Sequence, residues 1–396
     1  MDMKRFHSLL GDIERTMYYG DVQVGMGPME KGRLALAAYV VPEIDRRGIS
    51  AFNSLREAYT YFTGDDEVSG VIKKDRVSKD LRVCQDFHSA SFNYALENAM
   101  NVFLTKEYRE LPYHEEILIS DKKRVDDFRL IKSVQLGYFG PLPEVDPEAA
   151  DYPDIPAYAD SESEYRIGRK GALIWVTRWH VIDDRIDLIK GMTRRMARAA
   201  RLAHARYVWS FFINNATCPD GTAWFTGEHG NLGNSALDIS PLVTAITALA
   251  NMTEAGSGEK IGLDLPSFNW WLVAPVDLWD TSVKKNQADS YFTANDLTTK
   301  VPNPCQRLFG ERNERIVTCP FLSDANDWGV IRDREDVPIV EMSYFMGKEE
   351  PEFITEVGPK PLSGFAFVND KFGFKVRHEY GGALVDYRGG YKSVVA

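Results

Sequence analysis

The sequence lacks the features that define several large protein classes. Its four cysteines stand far apart and include no CxxC pair, so they offer neither a metal knuckle nor a disulfide framework and suit a reducing compartment. Positive charge is in deficit, since 47 lysines and arginines face 58 aspartates and glutamates and leave a formal net charge of −11 at pH 7. This balance argues against a protein that binds nucleic acid by neutralising phosphates.

Long hydrophobic runs are also missing. The longest apolar run, residues 34–41, is far too short to span a bilayer, and the apolar stretch after Lys4 and Arg5 is too short and too soon charged for a signal peptide. A hydrophobic content of 44% and a charged content of 27% are typical of a soluble globular protein, and 396 residues suggest two or three domains. We expect a protein made in the cytosol and used there or released by lysis.

Motifs of known catalytic chemistry are absent as well. The sequence contains no HExxH, no Walker loop, no GxSxG and no Rossmann fingerprint. The glycine-rich stretch "GEHGNLGNS" at 227–235 is typical of a loop, and His88 and His180, on apolar segments, are typical of structural histidines. We therefore expect a protein that is not an enzyme, with no catalytic residue, no cofactor and no metal.

One stretch imitates a calcium loop. "DANDWGVIRDRE" at 324–335 has the expected residue types at positions 1, 3, 6 and 12 of such a loop. Position 5, however, is Trp328, which brings no oxygen, and Pro320 blocks an entering helix. The letters "VIRD" also favour a strand, so we expect no calcium site here.

The N-terminal part has a helical pattern. Phe6, Leu9, Ile13 and Met17 repeat at helical spacing, and further helical runs are predicted from Lys31 up to Pro42 and over 53–62. These helices could form a small subdomain with its own core or an arm that docks on another subunit. The amphipathic pattern leaves both open, because it does not say whose core the apolar face joins.

An acidic stretch interrupts the middle of the chain. "PEVDPEAADYPDIPAYADSESE" at 143–164 holds eight acidic residues and four prolines, with no lysine or arginine. Residues 124–139 before it alternate with period two, with Phe128 and Leu130 on the covered side, and residues 165–176 after it are also strand-like. We predict a long hairpin with an acidic tip. Arms of about fourteen residues would extend roughly 45 Å, which puts the tip in solvent or on a neighbour.

The most regular helix is predicted directly afterwards, at 187–214. Its apolar stripe is predicted as Ile189, Met192, Met196, Ala199, Ala203, Tyr207 and Phe211. Its basic residues are Lys190, Arg194, Arg195, Arg198, Arg201 and Arg206. Such a charged run is either a solvated face or a surface for an acidic partner or polyanion, and the acidic tip of another copy is one candidate partner.

The rest of the chain has a mixed pattern. Over 237–338 we predict a helix opened by Ser240 and Pro241, a strand at "SFNWWLVAP", a helix from Pro275 to about Gln287 and a strand at "ERIVTCPFL". The remaining residues to 396 have strand-like patterns, with glycines at turns.

Four segments, in the same order, resemble the major capsid (major head) proteins of tailed bacteriophages, particularly the Mu-like major head subunit branch. They are "FHSASFNYALENAMNVFLTKEYRELPY" (87–113), "NWWLVAPVDLWDTSVKKNQ" (269–287), "NDWGVIRDREDVPIVEMSYFMGKEEPEFI" (326–354) and "KVRHEYGGALVDYRGGYKS" (375–393). Together the resemblance covers residues 81–396.

The resemblance implies the α+β fold of the Hong Kong phage capsid type. It implies a helical N-terminal arm (1–80), a peripheral domain with a long spine helix and a β-sheet (81–124, 178–236 and 339–396), an extended β-hairpin loop (125–177) and an axial α/β domain (237–338). In the same way it implies hexamers and pentamers that form an icosahedral head around double-stranded DNA. Portal and scaffold or decoration proteins would be partners, no membrane would be involved, and assembly would take place in the host bacterial cytoplasm.

The resemblance also implies contacts for the acidic residues. The extended loop would reach over an adjacent subunit, where its acidic residues meet basic or main-chain donors. These residues are Glu144, Asp146, Glu148, Asp151, Asp154, Asp160, Glu162 and Glu164.

The sequence departs from the family at two places. Some relatives weld their shells through a lysine on the extended loop, but residues 141–165 contain no lysine, so we do not expect that bond. Residues 1–80 exceed a minimal capsid subunit, and we expect a retained arm rather than a removed scaffold. An encapsulin, which is a cellular compartment shell of the same fold, and an enzyme with an unrecognised acidic site remain the alternatives.

Overall fold

The structure is a computed structural model of the chain. It describes residues 27–44, 49–64, 89–136, 159–177, 183, 185–253, 258, 260, 269–293, 296–334, 337–355 and 371–395. The helix predicted around residues 6–17, and both His88 and His180, lie outside the described residues.

Helices and strands are both numerous in the described residues. The α-helices are α1 (Pro28–Val40), α2 (Leu55–Thr63), α3 (Ser89–Arg109), α4 (Ile186–Ile213), α5 (Ile239–Ala250) and α6 (Trp279–Gln287). The strands are β1 (Ile119–Val125), β2 (Ile131–Leu136), β3 (Ala159–Tyr165), β4 (Gly168–Thr177), β5 (Leu232–Gly233), β6 (Trp271–Ala274), β7 (Ser290–Thr293), β8 (Asp296–Pro302), β9 (Ile316–Thr318), β10 (Trp328–Ile331), β11 (Val340–Phe345), β12 (Glu352–Thr355), β13 (Lys371–Leu384) and β14 (Gly390–Ser393). Among the helices described, none combines the length and the hydrophobicity that a membrane crossing needs.

The chain divides into two compact units. The first comprises 1–111, 170–200 and 350–378, and the second comprises 112–169, 201–349 and 379–396. Both units are described separately below.

The first unit is mainly helical, and its N-terminal helices begin where the sequence supplies caps. The Glu30 carboxylate accepts a hydrogen bond from the Gly27 N–H at the start of α1 (3.2 Å). Ser54 caps α2, which ends at Gly64 in the left-handed conformation (φ 70°) that glycine adopts without strain. The helices predicted after Lys31 and over 53–62 are thus confirmed.

These helices pack inside their own chain. Leu36, Leu55 and Phe62 share one buried cluster with Phe92 and Met100 of α3. Burying a side chain of this size stabilises a fold by about 1.5–3 kcal/mol, so the cluster fixes α1 and α2 against α3. The sequence left open whether these helices form a small subdomain with its own core or an arm that docks on another subunit. In the structure their apolar side chains join a core shared with the rest of the first unit.

Four sheets have strands in the described part of the second unit: two of five strands, and the pairs β2–β3 and β7–β8. In one five-stranded sheet, β1 lies parallel to β11, with Val125 beside Phe345, and β11 lies antiparallel to β13, with Val340 beside Leu384. In the other, the strands have the order β5-β14-β10-β6-β9, and α5 packs on this sheet around the buried Trp270 and other apolar side chains. The strands predicted at "SFNWWLVAP", "ERIVTCPFL" and "VIRD" are confirmed as β6, β9 and β10.

The start of α5 differs slightly from the prediction. The side chain of Asp238, rather than that of Ser240, caps the helix by accepting a hydrogen bond from the Ile239 N–H (2.6 Å). Both residue types are good caps, and the aspartate lies two residues earlier.

The predicted spine helix is confirmed as α4, but its predicted apolar stripe has the wrong phase. Of that stripe only Ile189 is buried, whereas Met192, Met196, Ala203, Tyr207 and Phe211 are half-buried and Ala199 is exposed. The buried positions of α4 are instead Ile186, Ile189, Thr193, Ala197, Arg201, His204, Ala205, Val208, Trp209 and Phe212. Three of these residues are polar, and a pattern that scores hydrophobicity alone therefore moves the stripe to the neighbouring face.

The predicted hairpin exists, with different arms. β2 pairs antiparallel with β3, Ile131 lying beside Tyr165, and these arms have six and seven residues. The segment predicted as the second arm is mostly β4, which pairs with β13. The error has a physical cause: the covered face of the hairpin carries Ser133, Ser163 and Tyr165, and strand prediction by hydrophobic alternation misses serines.

Candidate assembly site at the base of the extended hairpin

One buried carboxylate fastens the hairpin to its sheet. Glu341 of β11 is 3% exposed and accepts hydrogen bonds from both hairpin strands and from β1. The donors are the hydroxyl of Ser133 (2.5 Å), the hydroxyl of Tyr165 (2.6 Å) and the ammonium of Lys123 (2.6 Å). Charge-assisted bonds of this kind are stronger than neutral ones, so β1, β2 and β3 converge on a single anion.

The titration behaviour of this cluster follows from its contacts. Burial raises the pKa of Glu341, but the hydrogen bonds from Lys123, Ser133 and Tyr165 and the charge of Lys123 outweigh burial and hold the pKa below its ordinary value. Burial, together with the hydrogen bond to Glu341, raises the pKa of Tyr165 well above that of a free tyrosine. The carboxylate thus stays charged and the phenol stays a donor near neutral pH. Since the Tyr165 proton points to Glu341, the Ser343 hydroxyl donates to Tyr165 oxygen (2.6 Å).

Further contacts hold the same face. The Ser163 hydroxyl donates to the Leu384 carbonyl of β13 (2.8 Å). The Arg169 guanidinium pairs with the buried Glu379 of β13 (2.6 Å) and lies 5.6 Å from the ring centre of Phe128. The base of the hairpin is therefore fixed by polar contacts with the strands beneath it, within the second unit.

The outer face of the hairpin is also charged but exposed. Lys132 of β2 contacts two predicted assembly residues of β3, Glu162 and Glu164, the latter at 3.2 Å. Hydrogen bonds to Glu162 and then Glu164 raise the pKa of Lys132. These two carboxylates consequently have a partner in their own chain.

The other predicted acidic contacts lie elsewhere. Asp160 belongs to β3, so the last three acidic residues are in the hairpin arm rather than at its tip. Five residues lie outside the described residues: Glu144, Asp146, Glu148, Asp151 and Asp154.

The basic residues of α4 separate into three groups, of which the buried Arg201 is described in the next paragraph. In the first unit, Arg194 pairs with Glu107 of α3 (2.9 Å), and Lys190 donates to the Tyr39 carbonyl of α1 (3.1 Å), with burial lowering the pKa of Lys190. The exposed remainder consists of Arg195, Arg198 and Arg206, of which Arg206 lies over the Phe321 ring (5.6 Å).

Arg201 belongs to a buried polar cluster that the sequence did not reveal. Its guanidinium pairs with Glu115, which lies in a 3₁₀ turn before β1 and is fully buried. His204, one turn further along α4, contacts Glu115 through Nδ1 (3.0 Å) and the Tyr344 hydroxyl through Nε2 (2.9 Å). The cluster ties α4 to β11 in the second unit. Arg201 was predicted on a basic surface because its partner is 86 positions away and no local pattern links the two.

The glycine-rich loop and the calcium-like stretch both make structural contacts. His229 of the glycine-rich loop contacts Asp220 (2.8 Å) and the Trp224 carbonyl (3.0 Å), and its ring stacks on Tyr387 at 3.8 Å. Trp328 of the calcium-like stretch is buried in β10. The part of the chain that the structure describes holds no group of three or more His, Cys, Asp or Glu side chains placed to bind a metal ion.

Comparisons with known proteins bear on this arrangement. The model of the family described as phage capsid protein matches residues 160–393, which is more than half of the chain. No curated protein matches the chain.

Several solved structures are similar at low identity. They include a virus-like particle from Pyrococcus furiosus (TM-score 0.41, 9% identity, 74% of this chain and 98% of that chain). Mycobacterium phage Patience gives a TM-score of 0.45 and 9% identity over 76% of this chain and 88% of that chain. An encapsulin complex from Synechococcus elongatus gives a TM-score of 0.39 and 11% identity over 72% of this chain and 87% of that chain. The family assignment comes from the family match: the chain belongs to the phage capsid protein family, has its α+β capsid fold, and is a structural protein of a capsid shell.

Proposed function

We propose that this chain is the major capsid (major head) protein of a tailed bacteriophage, of the Mu-like branch. Copies form hexamers and pentamers through ring-closing contacts, and these tile an icosahedral head around double-stranded DNA. The observation that carries the proposal is the β2–β3 hairpin, which with β4 after it precedes the long helix α4, in a chain that the capsid family model matches. This order of elements is the one that the resemblance implied.

In this proposal the hairpin is the assembly arm. Its base is fixed by Glu341, and its acidic tip reaches an adjacent copy. Exposed ion pairs are individually worth about 0–1 kcal/mol, so many weak contacts let a misplaced subunit leave and return while the closed shell gains avidity. Of the two interpretations of the basic residues of α4, this proposal takes the exposed ones, Arg195, Arg198 and Arg206, as a solvated face.

The remaining parts follow the same scheme. Residues 1–80 form the N-terminal arm, 125–177 the extended loop and 237–338 the axial domain, while 81–124, 178–236 and 339–396 form the peripheral domain. Portal and scaffold or decoration proteins join the shell in the host cytoplasm. The net charge of −11 repels the phosphates of the enclosed DNA, so the shell does not bind the DNA tightly.

Electron microscopy and sedimentation of the purified chain at low and high salt test this proposal. Closed shells or rings of five and six copies are expected, with assembly weakened by high salt because the arm contacts are ionic. Particles that carry a protein cargo instead of DNA when isolated from their natural source would indicate an encapsulin-type shell. A monomer whose melting temperature rises with a small ligand would indicate an enzyme and contradict the proposal.

A further inference from the structure

An exposed apolar surface lies beside the hairpin base. Phe128 and Leu130, in the turn between β1 and β2, are each 41% exposed, although the sequence predicted them on a covered face. Met346, in the turn after β11, is 45% exposed. The two turns adjoin, because the Met346 N–H donates to the Val125 carbonyl (2.8 Å) and Phe128 stacks on Phe345 with ring centres 4.7 Å apart. Clustered exposed apolar side chains indicate an interaction site more than scattered ones do.

Arginines surround this surface. The Arg129 side chain is 89% exposed, and its Nε lies 3.8 Å from Asp127 Oδ2 in an exposed ion pair, while the Arg129 main-chain N–H donates to Asp127 Oδ1 (3.2 Å). Arg166 is exposed and follows Tyr165, whose strand partner Ile131 follows Leu130, so Arg166 and Leu130 lie at the same end of the hairpin. Arg169 lies against the Phe128 ring, as described above. We call Phe128, Arg129, Leu130, Arg166, Arg169 and Met346 the Phe128 surface.

The chain itself contains a segment of complementary chemistry. In "DYPDIPAY", residues 151–158, apolar side chains recur at every third position, as Tyr152, Ile155 and Tyr158, and acidic ones precede the first two. Proline-rich segments with this spacing bind aromatic surfaces in an extended form with three residues per turn, which places such apolar residues on one face. Carboxylates beside that stripe match guanidinium groups beside an aromatic ring.

We propose that the Phe128 surface receives residues 143–158 of a second copy of the chain, an inference that rests on the proposed function because it requires copies to assemble. The apolar residues of the segment cover Phe128 and Leu130, while its aspartates meet Arg129 and Arg166. β2 leads away from the surface for six residues, about 20 Å. The described end of β2 is therefore remote from the Phe128 surface of its own chain, which favours a second copy as the source of the segment.

The arginines of α4 fit the segment less well. Arg195 and Arg198 are exposed, but the one exposed large apolar side chain among the described residues of α4 is Leu188, about two turns away from Arg195. That surface matches the acidic residues of the segment and leaves its tyrosines and isoleucine uncovered.

Three double variants of the full chain, each reversing two charges, separate these surfaces. The tip variant is Asp151→Lys with Asp154→Lys, the surface variant is Arg129→Glu with Arg166→Glu, and the matched control is Arg195→Glu with Arg198→Glu. Circular dichroism checks that each is folded, and sedimentation with electron microscopy measures assembly. We expect the tip and surface variants each to lose assembly at least about tenfold, and the control to assemble like wild type.

Mixing distinguishes a neighbour from the same chain. In a six-membered ring of alternating tip and surface variants, every tip meets a surface of opposite charge, so the mixture regains assembly. A different outcome is that the mixture does not assemble, whereas a single chain carrying all four changes does. That outcome would show that the segment binds its own chain, and it would overturn the inference.

Two further results separate this inference from the proposed function. If the tip variant fails to assemble while the surface variant assembles normally, the arm contact exists but the surface that receives it lies elsewhere, which overturns the inference. If mixing the tip variant with the control variant then restores assembly, the arginines of α4 are that surface. If tip and surface variants both assemble like wild type, the arm contact itself is wrong.

A binding measurement avoids any dependence on shell formation. A fluorescein-labelled peptide of residues 141–158 is titrated with the full chain at low salt, and its anisotropy is followed. Binding about tenfold weaker to the surface variant, with unchanged binding to the control, is expected. Equal binding to the wild type and the surface variant contradicts the inference.

Discussion

The two faces of the β2–β3 hairpin carry similar chemistry in different surroundings. On the inner face one carboxylate, Glu341, receives three donors in a buried site. On the outer face one ammonium, Lys132, meets two carboxylates in solvent. Water competes for the outer contacts and is excluded from the inner one, so hydrogen bonds of similar length differ in their effect on stability. The inner face fixes the hairpin to the sheet, while the outer face stays available to other surfaces.

Glu341→Ala is expected to have the largest effect. It leaves Ser133 and Tyr165 without their acceptor, and Lys123 without its counter-ion, so the free energy of unfolding should fall by about 3 kcal/mol. Urea denaturation of unassembled subunits measures this change. Glu164→Ala, which removes a carboxylate from the outer face, is the matched control and should leave the midpoint in place; equal losses in the two variants would contradict the distinction between the faces.

Tyr165→Phe is expected to have an intermediate effect. The ring remains, but Glu341 loses one of its three donors and Ser343 loses its acceptor, which should lower the free energy of unfolding by about 1–2 kcal/mol. The same denaturation measurement applies. A loss as large as that of Glu341→Ala would show that the tyrosine alone carries the cluster.

Acid should weaken the inner face. Because the pKa of Glu341 is lower in the folded chain than its ordinary value, its contribution to stability is fully present above about pH 4.5 and is lost as the pH falls through the folded pKa. Comparing wild type with Glu341→Gln from pH 7 to pH 3 isolates this contribution. The stability difference between the two proteins should shrink on acidification, and a constant difference would contradict the assigned charge.

Lys132→Ala is expected to have the smallest effect. Its contacts are exposed and screened by salt, so subunit stability should be unchanged within error. Denaturation at low and at high salt checks this. A clear loss of stability at high salt would mean that the outer face contributes to the fold of the single chain.

Local patterns in the sequence predicted much of the fold. The helices α1, α2 and α4 and the strands β6, β9 and β10 were foreseen because their apolar spacing and caps are local. The hairpin was foreseen as a unit because turn-forming and acidic residues separate two strand-like runs.

The elements that failed depend on distant partners. Thr193, Arg201 and His204 lie on the buried face of α4; Glu115, far away in the sequence, binds both Arg201 and His204, so hydrophobic periodicity assigned the wrong face. In the same way the inner face of the hairpin carries polar side chains because distant strands supply their acceptors. Ser133 and Tyr165 donate to Glu341, and Ser163 donates to the Leu384 carbonyl. Neither cluster has a spacing that can be recognised in one sequence.

The central claim is that Glu341 holds the hairpin as an assembly arm, and electron microscopy of wild type and Glu341→Ala side by side tests it most directly. Circular dichroism first confirms that both proteins are folded at the temperature used. The account predicts shells or rings of five and six copies for wild type, and folded subunits that do not close rings for the variant. Normal shells from folded Glu341→Ala, or a wild-type chain that stays monomeric at every concentration and salt, would contradict it.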